Sequence, residues 1–210
     1  MNRRIAIFAA ALFVLALSGC ASLTRPKAPD FYQIDYAFEP SDCSKPFPGA
    51  VRIWSFSASA PYDREQMVAV TPSRNVRYSS HHKWISPPGD MLADILMRDL
   101  SLAHVFEDAV PVGSPVAAVY EMSGHVYRFA LEENGSPPHA ALDVEITMWR
   151  QTPPRSVLFR KHFHYRSAPL AKTDPLDFAD AMSGLASRLS MDLRDSLCAI
   201  TSGSSRPDGG

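Results

Sequence analysis

Residues 142–149, LDVEITMW, alternate between two sets of side chains more cleanly than any other stretch of the chain. Successive side chains of an extended strand point to opposite faces, so each set would occupy a face of its own. The pattern therefore predicts a strand with an apolar face directed to the core. The apolar set is Leu142, Val144, Ile146 and Met148, and the other set is Asp143, Glu145, Thr147 and Trp149.

A second strand follows at residues 157–166, after a Pro-Pro turn at 153–154. Four basic or imidazole side chains would share one face of it: Arg160, His162, His164 and Arg166. Three interpretations are open: a solvated charge ladder, a partner-binding face, or a metal site built on the two histidines. Opposite charges stabilise one another across strands, and flanking arginines would repel a cation. The pattern favours a ladder with Asp143 and Glu145.

Strands are also predicted at residues 31–38, 51–56, 66–71, 76–79 and 119–131, with a bend near Gly124. Two amphipathic helices are indicated by apolar residues at helical spacing. Ser86 would cap the first helix, followed by Pro87 and Pro88, and Asp174 would cap the second. We predict an α+β fold: a two-layer domain in which two amphipathic helices cover one face of a mixed or antiparallel sheet.

The amino terminus has the layout of a secretory signal peptide. Arg3 and Arg4 precede an apolar run at residues 5–17, which is shorter than the ~20 residues a spanning helix needs. The run ends in Leu-Ser-Gly-Cys at 17–20, which resembles a bacterial lipobox. Cys20 would then carry the acyl chains, and the alternative is an ordinary signal peptide that ends near a cysteine. Ala21, rather than aspartate, favours the outer membrane with the protein facing the periplasm.

This layout divides the chain into four parts. Residues 1–19 would be the lipoprotein signal peptide and 20–30 an acylated tether. A single domain would occupy 31–200, followed by a flexible tail at 201–210.

The two other cysteines, Cys43 and Cys198, would reside in an oxidising compartment, where a disulfide is favoured over two free thiols. The chain carries 21 Lys and Arg against 22 Asp and Glu, so its charge does not suggest nucleic acid as a partner. No catalytic, phosphate-binding or metal-binding motif is present in the sequence, and we expect no enzymatic activity and no cofactor.

A longer segment resembles a known family. It reads PYDREQMV (61–68), VRY (76–78) and HKWISPP (82–88), followed by a helix with ML (91–92) and LMRDL (96–100). These motifs are similar to the ABC-type transport auxiliary lipoproteins, the family of the paraquat-inducible protein C lipoprotein. The lipobox, the early Phe31-Tyr32 strand and the closing helix also fit.

The resemblance implies a non-catalytic partner of an MCE-type lipid transport system. Its partners would be an MCE-family periplasmic protein with its ABC transporter or inner-membrane partner, and the membrane itself through acyl chains. A homo-oligomer is also plausible on this basis. The alternative is a structural lipoprotein that assembles another envelope complex without handling lipid.

Tyr62 and Trp84 lie in the segment most similar to the family, beside a Pro-rich junction. They would form an interface with the MCE partner or with a second copy, because aromatic side chains are common interface anchors. The alternative is that both pack beneath the helix that begins near Pro87.

Overall fold

The computed structural model describes residues 27–40, 43–134 and 137–203. In this part of the chain a nine-stranded mixed sheet is covered by two helices, which confirms the α+β class. The strands are β1 Asp30–Tyr32, β2 Phe47–Ile53, β3 Ser57–Ala58, β4 Gln66–Val70, β5 Val76–Trp84, β6 Phe106–Pro111, β7 Ala118–Glu132, β8 His139–Arg150 and β9 Ser156–Arg166. The helices are α1 Pro88–Leu102 and α2 Pro175–Thr201.

The sheet is organised around β7, its longest strand. One edge of β7 pairs antiparallel with β8 along almost its whole length, and β8 pairs in turn with β9. The other edge is shared by three short parallel partners: β2 at the start of β7, β3 in the middle and β4 at the end. β6 extends the sheet beyond β2, and β5 and β1 extend it beyond β4.

Gly124 lies where β7 passes from one parallel partner to the next. β2 pairs with β7 as far as Met122, and β3 pairs with it from His125. The ring of Phe56, in the link between β2 and β3, occupies the space above Gly124, so a Cβ there would overlap the ring. A glycine is required at this position because of that close approach.

Two strands are additional to those expected from the sequence. β3 is only two residues long, too short to show a period. β6, FEDAVP, buries only Phe106 and Val110 and lies at the edge of the sheet. Its acidic residues face solvent, so its sequence lacks the apolar density of a central strand.

The helices pack on one face of the sheet and on each other. The alternation predicted for residues 142–149 is confirmed, because Leu142, Val144, Ile146 and Met148 are fully buried against this layer. α2 contributes the longest apolar stripe, made of Phe178, Met182, Leu185, Leu189, Leu193 and Leu197.

The two helices begin differently. Asp174 caps α2 as predicted, since its carboxylate accepts a hydrogen bond from Leu176 N at 2.9 Å. The cap predicted for α1 is wrong: Pro87 occupies that position, with no capping side chain. The two prolines set the entry geometry of α1 themselves, which makes a polar cap less necessary.

The first predicted strand, 31–38, is also wrong beyond Tyr32. After β1 the chain leaves the sheet and runs beside α2, although its burial still alternates residue by residue. Asp35 N donates to Ser183 Oγ at 3.1 Å, and Arg194 Nη1 donates to the carbonyl of Glu39 at 2.8 Å. The period-two pattern is real, but its buried side chains pack on helices rather than within a sheet.

Asp99 is the centre of a buried polar network under this segment. Its carboxylate accepts hydrogen bonds from Tyr36 Oη and Ser190 Oγ, each at 2.6 Å, and from Arg98 Nε at 2.8 Å. The network joins the amino-terminal segment, α1 and α2. Burial, followed by the hydrogen bond to Asp99, raises the pKa of Tyr36 above its ordinary value. Arg98 is thus paired with Asp99, its neighbour in the chain.

Candidate interaction face

The sheet has a second face, opposite the helices, formed by alternate residues of β7, β8 and β9. We call it the open face. Its side chains form three cross-strand rows set by the strand register. These rows are Ser123–Thr147–Arg160, His125–Glu145–His162 and Arg128–Asp143–His164.

Asp143 is the electrostatic centre of the open face. Oδ1 of its carboxylate contacts His164 Nδ1 and lies 3.5 Å from His162 Nε2, while Oδ2 lies 3.7 Å from Arg128 Nε. The charge ladder predicted with Asp143 and Glu145 is confirmed at Asp143 only. Glu145 is opposite His162 in register, yet the imidazole is directed to Asp143 instead.

An exposed aromatic stack lies next to this carboxylate. The ring of Tyr127 stacks on His162 with centroids 5.2 Å apart and meets His125 edge-on at 4.5 Å. His125 is held from the other side by Ser57 Oγ at 2.8 Å and Ser59 Oγ at 3.2 Å. Tyr127 is thus an exposed ring on a rigid support, which is the character of an interface anchor.

The ladder continues at one end of the face into a buried carboxylate, Glu132. It contacts Arg128, accepts from His139 Nε2 at 3.0 Å and lies 3.7 Å from Arg166. A buried carboxylate requires such partners, because an isolated charge in the interior is strongly unfavourable. Arg166 is predicted to share a face with the two histidines, and it contacts Glu132 at this end of the open face.

At the other end, a shallow cleft of about 430 Å³ borders Trp149. The guanidinium of Arg155 lies 4.8 Å from the centre of the Trp149 ring and also contacts Glu121 at 3.3 Å. The open face therefore combines charges of both signs with the exposed ring of Tyr127 and the half-buried ring of Trp149. Within the described residues, no group of three or more His, Cys, Asp or Glu side chains is arranged to hold a metal ion.

The burial of Tyr62 and Trp84 contradicts the interface prediction for both. Trp84 is 1% exposed, and its ring packs edge-on against Phe129 at 5.2 Å and Phe178 at 5.5 Å. Tyr62 is also buried. Both belong to the core, although the ring of Trp84 packs against Phe178 of α2 and not beneath α1, the helix that the alternative named. Trp84 is the last residue of β5, and its side chain points toward α2. Alternation along the strand fixes which residues share a face, but only the tertiary packing decides which face α2 covers.

The structure brings Cys43 and Cys198 together. They are bonded, with Cα atoms 5.5 Å apart and a sequence separation of 155 residues. The bond attaches the end of the amino-terminal segment to the last turns of α2. Cys20, the predicted lipidation site, lies outside the described residues.

We predict that this bond forms in the oxidised protein and stabilises it. Closing a loop of this length restricts the unfolded chain, and we expect Cys43→Ser or Cys198→Ser to lower the free energy of unfolding by about 2–4 kcal/mol. Chemical denaturation with and without reductant measures the loss. The double variant, which should be insensitive to reductant, is the control. Two thiols that react in denatured, unreduced periplasmic protein would refute the prediction.

The chain matches a known protein family along most of its length. A family model for the ABC-type transport auxiliary lipoprotein component matches residues 32–193, from β1 through most of α2. The chain belongs to this family. The auxiliary lipoprotein is thus a component associated with an ABC transport system, as the motifs at 61–100 suggested. No curated protein matches the chain significantly.

Solved structures show the same fold. Protein XCC0632 from Xanthomonas campestris superposes with a TM-score of 0.71 at 17% identity, over 84% of this auxiliary lipoprotein and 99% of that chain. An uncharacterised protein gives a TM-score of 0.62 at 13% identity, over 81% and 99%. At these identities the likeness establishes the fold alone. No helix in the described parts of the auxiliary lipoprotein combines the length and apolarity needed to cross a bilayer.

Proposed function

We propose that this auxiliary lipoprotein is a non-catalytic component of an MCE-type lipid transport system, anchored in the outer membrane and facing the periplasm. The family match over residues 32–193, which begins 12 residues after the lipobox cysteine, is the observation that carries this proposal. Its partners would be an MCE-family periplasmic protein and the associated ABC transporter. The function requires an anchor, a folded body and an interaction face, and it requires no reacting group.

In this proposal residues 1–19 are removed, 20–30 form the acylated tether, 31–200 form the domain and 201–210 the tail. We expect Cys20→Ala to leave the precursor uncleaved and unacylated while the domain still folds. The reason is that acylation of the lipobox cysteine precedes cleavage in proteins of this type. Mass spectrometry of the amino terminus measures both events, and Cys43→Ser serves as a control that keeps the lipobox. An unmodified mature amino terminus in the wild type would contradict the anchor.

The open face is the surface we propose for the protein partner. Tyr127 is exposed, rigidly supported and surrounded by charges of both signs, which suits a specific docking site better than non-specific association. Asp143, with its histidine and arginine contacts, would fix the register of the partner. A second copy of the chain is the other occupant this face could accept in a homo-oligomer.

We expect Tyr127→Ala with His162→Ala to abolish co-purification of the MCE-family protein without changing the melting temperature appreciably. Both side chains are exposed, so their truncation removes contact area for a partner and little core packing. Tyr78→Ala is a matched control, since Tyr78 is 45% exposed and Tyr127 is 44% exposed. Unchanged co-purification by the double variant would rule out the open face, and equal loss in the control would point to a non-specific effect.

Lipid handling is tested separately from docking. A complex isolated in mild detergent should contain phospholipid in a fixed ratio to the auxiliary lipoprotein if the system moves lipid. A stable complex without phospholipid would favour the structural alternative, in which the lipoprotein assembles another envelope machine.

A further inference from the structure

Three of the most exposed large apolar side chains are grouped at one edge of the molecule. Ile85 is 59% exposed, and Phe31 and Leu176 are each 57% exposed. They border β1, the edge strand that follows the amino-terminal tether. This grouping has no role in the open face, which lies on β7, β8 and β9.

The register of β1 brings Phe31 and Ile85 to this edge, and the start of α2 brings Leu176 to it. Phe31 is paired with Lys83 of β5, and Ile85 N donates to the carbonyl of Tyr32 at 2.8 Å. The first turn of α2 reaches the same edge, because Phe178 packs on Trp84, the partner of Tyr32. Leu176 precedes Phe178 by two residues and therefore points away from the core.

The edge also carries cationic side chains next to its exposed apolar groups. Lys83 Nζ lies 6.0 Å from the centre of the Phe31 ring and 3.5 Å from Glu65 Oε2, and the exposed Lys27 Nζ lies 3.4 Å from Asp30 Oδ2. Lysines whose stems lie along apolar surface, with the ammonium group displaced outward, are suited to the boundary between lipid headgroups and acyl chains.

The length of the tether limits where this edge can be. If Cys20 is acylated, six residues lie between the membrane anchor and Lys27, and the seven Cα-to-Cα steps span at most about 25 Å. Phe31 follows four residues later. The edge at β1 is therefore the part of the folded domain held nearest to the bilayer.

From these observations we infer that the β1 edge, with Phe31, Ile85 and Leu176, is a membrane-contact surface that seats the domain on the phospholipid bilayer carrying its own anchor. This inference rests on the acylation of Cys20 proposed above. Contact of the β1 edge with the bilayer would give the domain a fixed orientation. The start of β7 and the Trp149 end of the open face would then be directed away from the lipid.

The opposite end of the molecule offers a matched control residue. Val157 is 57% exposed, the same as Phe31. It pairs with Trp149, which pairs with Glu121 near the start of β7, whereas β1 is joined to the later part of β7 through β5 and β4. Phe31 pairs with Lys83 and Lys83 with Gln66, which places the β1 edge level with about Arg128. That position lies about 23 Å along β7 from Glu121, at the rise of a strand.

The test uses the acylated full-length protein in vesicles of phosphatidylethanolamine and phosphatidylglycerol, part of which carries brominated acyl chains. We expect the emission added by Phe31→Trp to fall by about half, because a surface residue at an interface lies ~5–10 Å into the headgroup–acyl boundary. The emission added by Val157→Trp should be unchanged. Thermal melts verify that both variants fold, and the wild type supplies the background from its own tryptophans.

Equal quenching of the two variants, or none, would overturn the inference. Flotation of the same vesicles separates this result from a failure of the anchor: protein that does not float refutes acylation, and the inference with it. A third outcome is that the protein floats but the emission of Phe31→Trp is quenched neither by the brominated lipid nor by aqueous iodide. This would show that a protein covers the edge, and it would also overturn the inference. The proposed transport role would survive equal quenching or a covered edge, whereas protein that does not float would also lack the anchor that this role requires.

Discussion

Trp84→Ala is expected to lower the free energy of unfolding by about 3–5 kcal/mol and the melting temperature sharply. The ring is 1% exposed and lies between Phe129 of β7 and Phe178 of α2. Its removal would leave a cavity at the contact between the sheet and the second helix. The surrounding strands and helix cannot close such a space without breaking their own packing.

Trp54→Ala is the matched control for this result. Trp54 is an exposed tryptophan at the end of β2, and its truncation should cost much less. Thermal and chemical denaturation of both variants measure the difference. A Trp84→Ala protein as stable as the wild type, yet unable to bind its partner, would restore the interface role that its burial contradicts.

Asp99→Ala is expected to have an effect of similar size, about 3–5 kcal/mol, because it removes one partner from a buried polar network. The hydroxyl groups of Tyr36 and Ser190 would lose their acceptor inside the protein. The amino-terminal segment should detach from the helices before the sheet unfolds. Hydrogen exchange of residues 33–40 would report this local opening alongside the loss in global stability.

The control for this prediction lies on the same helix. Asp94 is exposed, so Asp94→Ala removes an acid from α1 without disturbing a buried network. Asp99→Asn should recover part of the stability, because an amide oxygen still accepts one hydrogen bond. If Asp99→Ala were no more destabilising than Asp94→Ala, the network would contribute nothing to the attachment of the segment.

The position of Asp99 in the sequence predicts that it is buried, although aspartate is usually found at the surface. Asp99 lies three residues after Leu96 and four after Ile95, which places it on the apolar stripe of α1. Ser183, Ser190 and Arg194 recur in the same way at spacings that bring them to one side of α2. Polar residues at core positions of two helices indicate a polar segment between them, but the segment itself is distant in the chain.

Local periodicity by itself determined the class of this protein, because alternation and helical spacing are properties of neighbouring residues. The strands at 142–149 and 157–166, the two helices, and the ladder on Asp143 were all predictable in this way. The lipobox and the motifs at 61–100 likewise pointed to the family that the comparison established. These signals require no knowledge of what lies across the fold.

Only the tertiary structure decided which part of the protein each patterned segment packs against. Residues 33–38 alternate like a strand, yet they pack on α1 and α2, and Trp84 resembles an interface anchor, yet it lies in the core. The partners concerned, such as Ser183 for Asp35 and Phe178 for Trp84, are far away in sequence. A period of two specifies that one side of a segment is buried, and long-range packing alone specifies whether a sheet, a helix pair or a membrane buries it.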